Sequence, residues 1–173
     1  MKHLTLVVFG LLLTAGCSSN SSTPSTTQAG TTTTRFTATL LPAQETPPIS
    51  NSENVGSGTS TMDFNITRDA SGTITAATVN FTATMTGFPA STVVTIAHIH
   101  TGALGVSGGI LISTTVNPGE VVLTNGAGTF TRVAVAVTAA QMQSILDNPA
   151  GFYFNIHTQA NPGGVMRGQL VKQ

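Results

Sequence analysis

The chain is written largely in alternation. In "RFTATLL", Phe36, Ala38 and Leu40 alternate with threonines, and in "TMDFNIT", Met62, Phe64 and Ile66 alternate with Asp63, Asn65 and Thr67. "TVNFTATMT" repeats the pattern through Val79, Phe81, Ala83 and Met85. "TFTRVAVAVT" does so through Phe130, Val133, Val135 and Val137, with one slip near Arg132. Successive side chains of a strand point to opposite faces, so period two over five to eight residues marks half-buried strands. Gly, Pro, Asn and Asp punctuate them at "RDASG" (68–72), "GFPAS" (87–91), "NPGE" (117–120) and "NGAG" (125–128). "RDASG" reads as a hairpin turn, with Gly72 supplying a positive φ.

The expected strands lie near 36–41, 60–67, 73–86, 92–100, 109–115, 120–124, 128–137, 151–158 and 164–171. Only "TAAQMQSILDNP" reads as helix, over about 138–147. Thr138 can cap it, Gln141 stands three residues later, Met142, Ile145 and Leu146 form a short apolar face, and Pro149 stops it. Many short strands with one helix point to an antiparallel sandwich or barrel. A parallel α/β sheet would need several crossover helices, and no repeat of 20–50 residues is present.

The N-terminus follows other rules. "MKHLTLVVFGLLLTAGC" has a basic Lys2, an apolar run from Leu4 to Leu13, and small residues before Cys17. A run of about ten apolar residues is half what a membrane-crossing helix needs, so residues 1–16 are expected to be a signal peptide. "TAGC" resembles the bacterial lipobox, although Thr14 stands where an aliphatic residue is usual. Cys17 is the only cysteine of the chain and is expected to carry lipid. The expected location is then the cell envelope, on the outer membrane or cell surface, with the membrane reached through the lipid on Cys17. Residues 17–34, rich in Ser and Thr and uncharged, read as a flexible tether. Residues 35–173 remain as one domain with room for one core.

Charged residues make up 7% of the sequence and the formal net charge is zero. That removes the electrostatic footprint of a nucleic-acid binder. No G-x-S-x-G, G-x-x-x-x-G-K-S/T or H-E-x-x-H motif occurs. The glycines of "GALGVSGG" precede no helical pattern, which argues against a phosphate cradle.

The chemistry concentrates in three histidines. His98 and His100 lie in "AHIH", and His157 lies in "FNIHT". Residues i and i+2 of a strand share a face, so His98 and His100 project together, and His157 from another strand could complete a three-His metal site. Buried histidines can equally hold loops by bonding backbone carbonyls, and exposed ones can contact a partner. These alternatives stay open at the level of sequence.

Three stretches together, "LPAQETPP" (41–48), "AHIHTGALGVSGG" (97–109) and "YFNIHTQANPGGVMRGQL" (153–170), resemble the CHRD domain, a family named for chordin and widespread among bacterial secreted proteins. The match spans residues 36–170. Val165 departs from it, since the family usually carries an acidic residue two before the arginine. The resemblance implies an antiparallel Greek-key β-sandwich of immunoglobulin-like or superoxide-dismutase-like kind, and little about activity. "AHIHTGALG" is also similar to the His-x-His strand and glycine-rich loop of copper/zinc superoxide dismutases. With four histidines, His3 among them in the leader, this chain cannot build their two-metal site. Glu45 and Arg167 stand in the resembling motifs, and Glu45 could pair with Arg167 or orient a histidine. Pro47 and Pro48 beside Glu45 argue for a fixed loop.

The sequence therefore predicts a lipid-anchored envelope protein, foremost a non-catalytic binding or structural module with an envelope or extracellular protein as partner. The alternative is a mononuclear site for copper or zinc on His98, His100 and His157, used for binding or redox chemistry, with Glu45 and Arg167 in support.

Overall fold

The structure is a computed structural model and describes residues 29–173. The expected signal peptide, Cys17 and the tether up to residue 28 lie outside the described residues. Ten strands form two antiparallel sheets. The first sheet holds β1 (Gly30–Leu40), β2 (Ser57–Arg68), β3 (Ile74–Thr86), β7 (Gly128–Val137) and β10 (Val171–Lys172), in the order β10-β1-β2-β3-β7. The second holds β4 (Val93–Thr101), β5 (Ile110–Ser113), β8 (Phe152–Thr158) and β9 (Met166–Gln169), in the order β5-β4-β8-β9, with β6 (Val121–Val122) also paired to β4. The result is the all-β sandwich that the alternation calls for. The chain leaves the first sheet after β3, builds β4 to β6, and returns as β7 beside β3.

The inner faces supply the core. Phe36, Met62, Phe64, Phe81 and Met85 of the first sheet are buried against Val94, Ala97, Ile99, Phe154, Ile156 and Met166 of the second. Phe81 and Phe154 meet at 5.8 Å between ring centroids. The helix α1 (Ala139–Asp147) is the only α-helix among the described residues, and it carries the capping box read from sequence. Thr138 Oγ1 accepts from the Gln141 backbone N–H, and the Gln141 side chain accepts from the Thr138 backbone. Met142 and Ile145 are buried.

The "RDASG" hairpin forms as expected, with Gly72 at φ 86°. Asp69 Oδ1 accepts from the N–H groups of Ser71 and Thr73.

Three expectations need correction. The tether does not run to residue 34, because Gly30–Thr34 extend β1 and pair with β2 from Arg68 to Phe64. Little apolar surface is needed there, since β2 supplies ladder partners and threonine is β-branched. Thr31 and Thr33 also bond Thr67 and Asn65 across the strands.

The strand expected over 164–171 is two strands, because the chain crosses between sheets at the buried Leu170. Val133, placed in the inward alternation, is exposed. A bulge between the β3 and β7 registers turns it out, with Ala134 at φ 53° and its N–H donated to Asn80 Oδ1 at 2.8 Å.

Among the described residues no helix is long and apolar enough to cross a membrane.

Candidate metal centre

The site lies on the outer face of the second sheet. In β4, Ala97 and Ile99 enter the core, so His98 and His100 must face outward. In β8, Phe154 and Ile156 enter the core, so Tyr153, Asn155 and His157 face outward. The register sets His98 opposite Asn155, His100 opposite Tyr153, and Asn155 opposite Arg167 of β9. An outer face would normally be wet. Here His98, His100, Tyr153, Asn155, His157 and Arg167 are all buried.

The covering comes from three loops whose backbone carbonyls bond this face. His100 Nδ1 bonds Gly108 O at 3.1 Å, and His157 Nδ1 bonds Pro162 O at 2.9 Å. Arg167 donates to Gln44 O at 2.5 Å, to Val106 O at 3.3 Å and to Thr46 Oγ1.

The three rings converge. Centroid separations are 5.4 Å for His98–His100, 5.3 Å for His98–His157 and 5.9 Å for His100–His157. One ring nitrogen from each lies within 4.8 Å of the others, and this is the one group of three or more His, Cys, Asp or Glu so placed among the described residues.

A carbonyl oxygen only accepts, so the Nδ1 atoms of His100 and His157 must carry their protons. Their Nε2 atoms are then left with lone pairs, which is how an outer partner prepares a histidine for metal. Both Nε2 atoms and His98 Nδ1 are buried with no hydrogen-bond partner. Three orphaned nitrogens in one cluster are costly unless something binds them.

All three histidines titrate below their ordinary range. Burial is the main cause for each. It takes His98 down to about 4, with His157 and His100 adding repulsion. For His100 and His157, burial outweighs the bonds to Gly108 and Pro162. The cluster is thus neutral at pH 7, the state a metal requires.

Glu45 and Arg167 are both brought to this face, and both are buried. They form no direct ion pair. The guanidinium is spent on loop oxygens and lies 4.6 Å over the Tyr153 ring. Nor does Glu45 orient a histidine, since the two bonded Nδ1 atoms go to carbonyls.

Glu45 instead packs at Gly164, where an added Cβ would lie 3.0 Å from Glu45 Oε1 and 2.6 Å from Asn155 Nδ2. Gly164, at φ 126°, is the position that lets the 159–165 loop close over both side chains. Glu45 Oε1 has no partner, and burial pushes this carboxyl up to about 7, partly opposed by the charge of Arg167. An open pocket of about 320 Å³ runs over it between Pro47, Pro48 and Pro162.

The sequence of this face is that of a known domain type. Residues 36–170 match the model of the CHRD domain. The chain belongs to the CHRD family. No curated protein and no solved structure matches it. In this CHRD domain the departing residue Val165 is fully buried.

Several site residues were not singled out from sequence. Tyr153 and Asn155 stand four and two residues before His157, so period two alone could have placed them on its face. Tyr153 stacks on His100 at 5.1 Å with 7° between planes. Glu53 had no local signal. It is buried, its carboxylate accepts from Thr158 Oγ1 at 2.6 Å and Asn161 Nδ2 at 2.5 Å, and it braces the loop that carries Pro162.

Proposed function

We propose that this CHRD domain is a metal-binding module of the cell envelope, holding one copper or zinc ion through His98, His100 and His157. The observation that carries the reading is the set of three unpartnered, buried ring nitrogens, two of them fixed in the ligand tautomer by loop carbonyls. A cluster built only to hold loops would use its nitrogens on backbone, whereas here each ring keeps a buried nitrogen without a partner, and the His98 ring bonds no backbone at all. The role is binding, in line with the non-catalytic module expected from sequence, and no reaction has to be invoked.

The location follows from the first seventeen residues. The basic start, short apolar run and small residues before Cys17 support export and lipid attachment at that cysteine. The protein then carries its ion outside the cytoplasm, tethered to a membrane. Mass spectrometry of the mature N-terminus tests this part: a lipidated Cys17 is expected, and an unmodified terminus elsewhere overturns it.

The metal part is tested on purified protein with Cu(I), Cu(II) and Zn(II) in turn. Uptake of one equivalent and a melting temperature that climbs with free ion are expected. An ion at a hundred times its dissociation constant stabilises the native state by about 2.7 kcal/mol. The variant His100→Ala should fold and lose uptake. No uptake of any of the three ions by the native chain overturns the reading.

A further inference from the structure

The three-histidine reading leaves the identity and oxidation state of the ion open, and the surroundings of the cluster bear on both. We propose that the site, if it holds metal as above, selects monovalent copper over divalent copper or zinc.

The first argument is ligand count. Zinc takes four ligands, so on three histidines it needs a water in the fourth position. The metal-binding group here is three histidines, with no acidic or cysteine side chain among its members. Three neutral nitrogens suffice for Cu(I), a d10 ion that accepts low coordination. Ligand softness does not decide the matter, because imidazole suits zinc and copper alike.

Charge decides it. The ion enters a buried site whose ligands bring no negative charge, and the cost of burying an ion grows steeply with its charge. A second cation is already there. Arg167 is 1% exposed and stacks on Tyr153, the ring that stacks on His100. The guanidinium carbon lies 4.6 Å from the Tyr153 ring centroid, which lies 5.1 Å from that of the His100 ring, so its field reaches His100. A metal cation at the Nε2 of that ring meets the same field, and a doubly charged one meets it twice over. For one extra unit of charge across a stacked ring, the penalty is on the order of tenfold in affinity.

Glu45 is the buried carboxylate of this face that could compensate, yet it bonds neither the guanidinium nor a bonded imidazole nitrogen. Removing its charge should therefore tilt the balance further from divalent ions.

The experiment uses the mature protein, metal-free, in three parallel equilibrations. Cu(I) is kept reduced with ascorbate under anaerobic conditions and set against a chromophoric Cu(I) chelator. Cu(II) and Zn(II) are set against a divalent chelator. Retained metal is counted after desalting. One equivalent of Cu(I) retained, with Cu(II) and Zn(II) stripped, is the expected result.

Retention of Zn(II) or Cu(II) at one equivalent with no preference for Cu(I) overturns the selectivity and leaves the three-histidine site standing. Retention of none of the three overturns both. Glu45→Gln, close to isosteric, is the second arm, run at a pH of about 8, above the value of about 7 to which burial pushes the native carboxyl. It should keep Cu(I) and weaken the residual binding of Zn(II), whereas an unchanged ratio of the two affinities overturns the charge argument.

Discussion

The outer faces of the two sheets follow one alternation and end in opposite environments. On the first sheet the outward positions line up as ranks across four strands. Thr37, Thr61, Thr82 and Thr131 form one rank, and Thr39, Thr59, Thr84 and Thr129 the next. Among the described residues no loop closes over them, and most are exposed. On the second sheet the outward positions are His98, His100, Tyr153, Asn155, His157 and Arg167, all buried under loops. The first face meets its hydrogen-bonding needs with water, neighbouring threonines and an exposed Arg35–Asp63 pair. The second must meet them with loop carbonyls, and three ring nitrogens go unmet. What separates a scaffold face from a candidate site here is the covering rather than the strand pattern.

The largest expected difference between the faces comes from Arg167. Arg167→Ala would strand the carbonyls of Gln44 and Val106 and unpack the Tyr153 ring. A buried acceptor left without its donor costs about 1–3 kcal/mol, and two carbonyls lose theirs here, so urea unfolding should show a drop on the order of 3 kcal/mol. An effect below about 1 kcal/mol would mean that the loops cover this face without the guanidinium.

Next in size is the cluster itself. His100→Ala removes the bond to Gly108 O that pins the 102–109 loop, and a buried bond of this kind is worth about 1 kcal/mol. Without metal, His100→Ala should therefore melt slightly below the native protein. With metal the gap should widen, because only the native site gains from the ion. A gap that is the same with and without metal would reduce the cluster to a loop clamp.

Acid should act on the covered face before it reaches the open one, where the Arg35 guanidinium holds the Asp63 carboxyl below its ordinary range. The folded histidines bind protons less readily than the unfolded chain, with His98 down to about 4. Between about 4 and the ordinary histidine value near 6.5, the unfolded state holds more protons, so metal-free stability falls as pH falls through that window. Glu45 has the opposite sign. Its folded pKa of about 7 lies above its ordinary 4.5, so its contribution falls as pH rises from 4.5 to 7. Glu45→Gln should therefore gain on the native protein as pH rises through that range, by on the order of 2 kcal/mol at pH 8. Denaturation at pH 4, 6 and 8 measures both slopes. A difference between the two proteins that does not change with pH would place Glu45 in water.

The contrast between the faces was half legible in the sequence. Alternation fixed which side chains share a face, and so put His98 beside His100 and the threonines together. It could not say which face is covered, because that depends on where "LPAQETPP", "GALGVSGG" and "QANPGG" fold back. Nor could it show that Arg167 turns to the carbonyls of those loops instead of to Glu45. The same limit explains Gly30–Thr34, which read as tether by composition and became strand because β2 was long enough to pair them. The bulge at Ala134 was visible only as a slip in the pattern near Arg132.

The smallest effect is expected on the open face, and it sets the scale for the rest. Thr82 is exposed in the middle of the four-strand rank. Thr82→Val keeps the β-branched shape that suits a strand and exchanges a solvated hydroxyl for a methyl. Surface changes of this kind stay within about 0.5 kcal/mol, and metal uptake should not move at all. Urea unfolding and a metal titration on this one variant check both statements. A loss above about 1 kcal/mol would show that the threonine rank is held by something firmer than water. The two faces would then differ in chemistry and no longer in covering alone.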